Sequence, residues 1–358
     1  MKKTLLSLFT VILLMTAARA QSLVYHNAME FPLIGRYHND SSYNRLPAKY
    51  QATVRPEVWY LSRNAAGIAV RFSSNATTIA ARWKVINNFA MNHMTATGIK
   101  GLDLYALVNN KWQFVNSAIP DGSSSSEKTF LHKGEPVQRE YLLYLPLYDG
   151  IDSLAIGVNE GAVIEKPRGQ QLLDKKPVVY YGSSIAQGGC ANRPGMAYTS
   201  ILSRQLQRPF INLGFSGNGK FETSVGAAIC ETDPALIVID CNPNTDAEQI
   251  QPGAVALVRQ LRQCKPRVPI LLVENYMYEN AYFEKDMKEM VFRKRAALKQ
   301  AYLQLLQSGV KNLHYTSGEG FLGDDHEGTV DGVHPTDIGM ERFARRIRPV
   351  IELSLIHI

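Results

Sequence analysis

Val178-Val179-Tyr180-Tyr181-Gly182-Ser183-Ser184-Ile185-Ala186-Gln187-Gly188 is the stretch that decides the fold. An apolar, β-prone run enters a Gly-Ser-Ser corner and leaves into a segment able to turn helical. A serine at such a corner sits at the carboxyl edge of a sheet. There the first N–H groups of the following helix lack partners and point at whatever binds. That setting suits an exposed nucleophile whose oxyanion must be stabilised. Gly-Ser turns are common, so the corner gains its weight from the rest of the chain.

Downstream, strand and helix signals alternate. Short apolar runs at 178–181, 210–213, 236–240, 270–273 and 312–315 read as strands. Helical patterns cover about 196–207, 222–232, 246–263, 284–308 and 337–355. Buried strands alternating with helices predict α/β: a parallel sheet in a three-layer α/β/α domain with right-handed crossovers. Upstream, residues 50–158 read as β, beginning with Val54–Leu61, Gly67–Phe72 and Thr78–Trp83. Short runs continue at Leu102–Val108, Trp112–Val115, Glu140–Leu147 and Ser153–Val158, which suggests a β-sandwich. The expected division is a leader (1–20), a β-sandwich (21–165), a polar linker (166–175) and an α/β domain (176–358).

The leader reads as a signal peptide. Lys2 and Lys3 precede the apolar Leu5–Met15, too short to span a bilayer well, and Ala18-Arg19-Ala20 is an A-x-A cleavage site. The expectation is a secreted or periplasmic protein without a membrane anchor. Loss of Lys2, Lys3 and Arg19 lowers the formal net charge of +7 by three. No dense basic run remains, which argues against nucleic acid as a partner. Export permits disulfides, and Cys190, Cys230, Cys241 and Cys264 allow one or two, with the pairing open. None has C-x-x-C spacing, so no zinc site is expected, and Cys241 reads as a buried free thiol.

Four motifs converge on the carboxyl edge of the predicted parallel sheet. Ser184 follows the first strand and Asn212–Gly219 the second. Asp240-Cys241-Asn242-Pro243-Asn244 follows the third, and Asp331-Gly332-Val333-His334-Pro335 precedes the last helix. Each alone is ordinary turn and cap chemistry. Together, in this order and at one edge, they resemble the SGNH (GDSL-type) hydrolases, a flavodoxin-like family. The family's Ser, Gly, Asn and His blocks fall on Ser184, Gly217, Asn244 and His334. Gly101-Leu102-Asp103-Leu104-Tyr105 also resembles the G-x-D-L-Y motif of the β-rich domain that precedes one branch of that family. Two blocks depart from the pattern. Gly182-Ser183-Ser184 stands for Gly-Asp-Ser, and Asn242-Pro243-Asn244-Thr245 for Gly-x-Asn-Asp, which leaves Asn242 beside Asn244 as a candidate.

The resemblance implies roles. Ser184 is the nucleophile, His334 the base, and Asp331, three residues earlier, the group that orients it, unless a dyad suffices. The N–H groups of Ser184 and Gly217, with the Asn244 amide, would form the oxyanion hole. Ser183, Ser203 and Ser216 lack the strand–corner–helix setting of a nucleophile. No cofactor and no metal are expected. His326 and Asp325 have metal-ligand chemistry but read more simply as a solvated loop, and His93 reads as a packing residue. The loop Glu274–Phe283 should open on the same edge, and its Tyr276, Tyr278 and Tyr282 suit either sugar rings or local packing. The expected activity is hydrolysis of short acyl esters, acetyl foremost, on a small-molecule or glycan substrate. A lipid or thioester acyl hydrolase and an idle glycan-binding protein are the alternatives.

Overall fold

Period-two alternation in the first half of the chain builds two antiparallel sheets in the computed structural model, which describes residues 22–167, 169 and 174–356. The expected leader and residues 168 and 170–173 of the expected linker lie outside the described residues. In chain order the strands of this half are β1 (Leu23–Asn27), β2 (Leu33–Ile34), β3 (Ala69–Ser74), β4 (Ile79–Val85), β5 (Leu102–Val108) and β6 (Lys111–Ala118). They continue with β7 (Ser125–Leu131), β8 (Arg139–Tyr144), β9 (Ile151–Asn159) and β10 (Ile164–Glu165). One sheet runs β1-β9-β4-β7, the other β10-β3-β8-β5-β6 with β2 on β3. Phe72, Trp83, Leu104, Leu143 and Ile156 fill the space between them.

The reading of Val54–Leu61 as a strand is corrected: Pro56–Ser62 is a helix, α1. Pro56 sits in its first turn, where a fixed φ and a missing N–H favour a helix. Val54 and Val58 are four apart, a helical spacing that alternation masked. Both, with Leu46 and Tyr50, pack against one face of the parallel sheet among Val179, Ile211 and Ile239.

That sheet holds β11 (Val178–Gly182), β12 (Phe210–Gly214), β13 (Leu236–Asp240), β14 (Ile270–Val273) and β15 (Leu313–Thr316) in the order β12-β11-β13-β14-β15. All pairings are parallel, as the β/α alternation predicts. A short α2 (Ala96–Lys100) belongs to the first half; α3 (Ser184–Gln187) and α4 (Tyr198–Gln205) follow β11. Then come α5 (Thr223–Cys230), α6 (Ala247–Cys264), α7 (Lys285–Gln307) and α8 (Asp337–Ile356). One face of the sheet is covered by α4 and α8 through Tyr198, Ile201, Phe343 and Ile347. The other is covered by α5, α6 and α7 through Val225, Leu257 and Leu298. Cys230 and Cys264 form a disulfide joining the ends of α5 and α6, while Cys190 and Cys241 are buried free thiols. Since β11 pairs with β12 on one side and β13 on the other, the connections diverge there and leave a crevice at its carboxyl end.

Candidate active site

Ser184 occupies the first turn of α3, directly beyond that end of β11. Ser183 caps the helix, its Oγ accepting the Ile185 N–H at 3.3 Å, so its hydroxyl is committed to backbone. Ser184 Oγ instead lies 2.9 Å from His334 Nε2. His334 Nδ1 lies 2.7 Å from Asp331 Oδ2, and Asp331 Oδ1 accepts the backbone N–H groups of His334 at 2.7 Å and Val333 at 3.0 Å. Partial burial raises the Asp331 carboxyl, but the hydrogen bonds from His334 and Val333 outweigh it and hold the group below its ordinary value. A carboxylate so held keeps the proton on Nδ1 and leaves Nε2 free to accept from a hydroxyl.

The loop carrying His334 is tied down at several points. Val330 N–H donates to the His334 carbonyl at 2.9 Å, and Cys190 N–H to the Pro335 carbonyl at 3.1 Å. The Tyr276 hydroxyl donates to the Val333 carbonyl. Of the two readings of this loop, sugar rings or local packing, Tyr276 and Tyr278 fit packing: both are buried in the core, and their rings meet edge to face at 5.8 Å, although Tyr276 also reaches the wall of a cavity beside this loop. An aromatic loop after a sheet strand gains more from filling the space beside Phe343 than from facing solvent. Tyr282 alone of the three is exposed, and its ring stands edge-on to His326 at 4.7 Å.

The oxyanion candidates lie on the segments that follow the adjacent strands β11, β12 and β13. Gly217 lies in the turn after β12 with φ +68°, a left-handed conformation that favours glycine, and a Cβ there would meet open space, so the backbone is what the turn requires. Residues on either side are held: Ser216 N–H donates to Gln187 Oε1 at 3.0 Å, and Asn218 N–H to the Phe215 carbonyl at 2.8 Å. Gln187 is fully buried and donates from its other end to the Leu147 carbonyl. Asn242 is fully enclosed, whereas Asn244 is partly exposed, which favours Asn244 as the amide that meets a ligand.

Several participants escaped the sequence reading. Gln187 and Tyr148 looked like ordinary positions, yet Tyr148 donates its hydroxyl to the Ser184 carbonyl at 3.3 Å. Asn212 accepts the Gly214 N–H and donates to the Ala186 carbonyl, locking β12 to α3. His93, read as a packing residue, comes from the β-sandwich half and sets its ring 5.7 Å from that of His334. Only a pattern linking the two halves could have revealed it.

Asp325 and His326 behave as the solvated-loop reading expects. Asp325 pairs with Arg342 at 2.5 and 2.6 Å, which holds its carboxyl down at about 2, and His326 meets Glu279 at 2.7 Å. Ligand atoms of His93, Cys190 and His334 lie within 4.8 Å of one another. Burial pushes the Cys190 thiol up to about 12, and both His334 ring nitrogens already have partners, so the trio is a poor cation cage.

Two cavities lie beside the loops that carry the candidate residues, though neither is lined by Ser184, His334 or Asp331. One, of about 470 Å³, is lined by Met277, Glu279, Tyr282, Lys288, Glu319 and His326. It adjoins the histidine loop, since Glu279 N–H donates to the Gly332 carbonyl at 2.8 Å. The other, of about 500 Å³, has Ser216 and Asn218 in its wall and so borders the Gly217 turn.

Residues 175–352 match the GDSL-like lipase/acylhydrolase family, and residues 23–164 match the GxDLY domain, the N-terminus of SGNH-hydrolase-type esterases. A structure from Bacteroides ovatus described as a GDSL-like lipase is 38% identical, with a TM-score of 0.90 over 94% of this chain and 98% of that one. The salicylyl-acyltransferase SsfX3 of a tetracycline biosynthetic pathway shares the fold at 16% identity, with a TM-score of 0.76 and the same coverage of both chains. So does a family two carbohydrate esterase from Clostridium thermocellum in complex with cellohexaose, at 13% identity and a TM-score of 0.59 over 82% of this chain and 94% of that one. No curated protein matches the chain. Among the described residues no helix is long and apolar enough to cross a membrane.

Proposed function

Since the chain belongs to the GDSL-like lipase/acylhydrolase family and carries a GxDLY domain, we propose that it is a serine esterase releasing acyl groups, acetyl among them, from a carbohydrate outside the cytoplasm. The observation that carries this is the chain of contacts from Ser184 Oγ to His334 Nε2 and from His334 Nδ1 to Asp331. In the first half-reaction Ser184 Oγ bonds to the ester carbonyl carbon while His334 Nε2 takes its proton. The oxyanion is met by the Ser184 and Gly217 N–H groups and the Asn244 amide. As the intermediate collapses, the bond to the alcohol oxygen breaks and His334 returns the proton to that oxygen. Water then repeats the sequence on the acyl-enzyme, giving the free acid and restoring Ser184.

The leaving alcohol must lie on the His334 side. The cavity there is rimmed by Glu279, Lys288, Glu319 and the exposed Tyr282, groups that suit the hydroxyls and C–H faces of a sugar. The carbohydrate esterase fold neighbours add support by analogy. The test compares wild type with Ser184→Ala on p-nitrophenyl acetate and on acetylated xylan. Loss of at least a thousandfold with Ser184→Ala, and acetate release from the glycan, are expected. Equal rates in the two proteins on both substrates would sink the proposal.

A further inference from the structure

The loop between β4 and α2 carries His93 from the first half of the chain to the side of His334. It is tied at both ends. Ile86 N–H donates to the Gly150 carbonyl at 3.0 Å, and the wholly buried Asp149 carboxylate accepts the N–H groups of Asn87 and Phe89, both at 3.0 Å. At the far end Met94 is buried in the same core cluster as Cys190 and Ala191. Thr95 caps α2 by accepting the Gly98 N–H, and its hydroxyl donates to the Asn192 carbonyl at 2.6 Å. His93 is thus held on a short span between fixed points, and no ligand is needed to place it.

The ring of His93 lies against that of His334, the centroids 5.7 Å apart and the planes tilted by 54°. One of its nitrogens is within 4.8 Å of a His334 ring nitrogen and of Cys190 Sγ. Cys190 is buried, whereas His93 keeps part of its surface open. Nδ1 of His93 lies 2.9 Å from Asn92 Oδ1, an amide oxygen that can only accept, so Nδ1 carries the proton. In the neutral ring Nε2 then keeps its lone pair, and among the described residues no donor meets it. Packing alone would be served as well by an apolar ring.

Of the substituents on a tetrahedral carbon at Ser184, the leaving oxygen is the one that must meet His334, about 3 Å from Nε2, to receive its proton. A hydroxyl on the next carbon of that alcohol then falls beside His334, where the His93 ring stands. Resting on the esterase reading above, we infer that His93 is a substrate-binding residue whose Nε2 accepts a hydrogen bond from a hydroxyl vicinal to the ester oxygen. The site therefore selects monoesters of vicinal diols, the arrangement found around a sugar ring, over esters of simple alcohols. An alcohol without that hydroxyl leaves the acceptor unmet, which is the basis of the discrimination. The chemistry is the same acyl transfer to Ser184 and then to water; His93 reads only the group that leaves.

The experiment compares trans-2-hydroxycyclohexyl acetate with cyclohexyl acetate, which share the acyl group and differ by one hydroxyl. Each rate is divided by that of alkaline hydrolysis. The wild type is expected to favour the hydroxy ester in kcat/KM by about tenfold, the worth of one well-placed hydrogen bond. His93→Leu should remove that preference. His93→Gln, whose amide oxygen also accepts, should retain most of it, with thermal melting confirming that both variants fold. No preference in the wild type, or turnover of p-nitrophenyl acetate alone, overturns the assignment while the esterase reading stands. An equal fall on both esters in His93→Leu would mean that the residue acts through His334, and also overturns it. A change in the acetate-to-butyrate ratio on cyclohexanol, in place of a change between the alcohols, would put His93 on the acyl side with the same consequence. No Ser184-dependent turnover of any of these esters overturns both readings.

Discussion

The carboxylate of Asp103, wholly buried on β5, holds the Arg193 guanidinium at 2.8 Å across the seam between the β-sandwich and the parallel-sheet half. The same carboxylate accepts the Gly195 N–H at 2.8 Å and the Ser117 hydroxyl at 2.7 Å. Two residues on, the Tyr105 hydroxyl accepts from Arg193 at 2.6 Å. Gly195 has no Cβ because one would sit 2.4 Å from that hydroxyl. Two side chains of the G-x-D-L-Y motif are thus a clamp on the segment that follows the nucleophile helix.

Asp103→Ala should therefore do more than trim a surface ion pair. It takes the carboxylate from the partly exposed Arg193 guanidinium and leaves the buried Gly195 N–H without its acceptor, for a loss of about 1–3 kcal/mol. Urea unfolding should register that loss. An unchanged midpoint would mean that the clamp contributes nothing to stability.

Tyr276→Phe tests the tie on the histidine loop. The variant keeps the packed ring and leaves the Val333 carbonyl without its donor, costing about 1–2 kcal/mol. Because Tyr276 acts through the position of His334, kcat should fall about tenfold with KM nearly unchanged. A rise in KM alone would mark the residue as a substrate contact.

Asp240 sets a pH dependence of stability. It is buried at the end of β13, and burial pushes its carboxyl up to about 8, although the Tyr180 and Tyr198 hydroxyls donate to it at 3.2 and 3.3 Å. Unfolded, it titrates near the ordinary 3.8. Between those values the folded state keeps a proton that the unfolded state has released. The stabilisation is complete below about pH 4 and is lost as pH rises towards 8. Asp240→Asn should flatten the fall in unfolding free energy between pH 4.5 and 8 that the wild type shows. Identical slopes would refute the assignment.

The Cys230–Cys264 bridge closes a loop with a sequence separation of 34. Chain-entropy arguments assign such a loop about 4 kcal/mol. A Cys230→Ser, Cys264→Ser variant should unfold at lower urea, with the ester hydrolysis rate retained at 25 °C because neither residue touches the crevice.

The parallel sheet was legible because its inner strands β11, β13 and β14 are apolar along nearly their whole length, as a sheet buried on both faces demands. Ser184, Gly217, Asn244 and His334 stood out because loops at one sheet edge must converge. What stayed hidden depended on contacts between distant segments. Val54 and Val58 alternate as well as they helix, and only the sheet they cover decides between the two. Tyr276 and Tyr278 carry the same composition whether they face a sugar or Phe343. His93 has no local feature that ties it to His334, which follows it by more than two hundred positions.

The packing of Leu46, Tyr50, Val54 and Val58 under the parallel sheet constrains the order in which the chain can fold. These residues emerge from the ribosome well over a hundred positions before β11 and its neighbours exist. The two halves cannot then mature one after the other, because the earlier segment must wait, apolar side chains exposed, for a surface made later. A fragment beginning at residue 175 would carry all of β11 to β15 and still lack part of the cover over Ile211 and Ile239. It should aggregate, however complete its catalytic motifs.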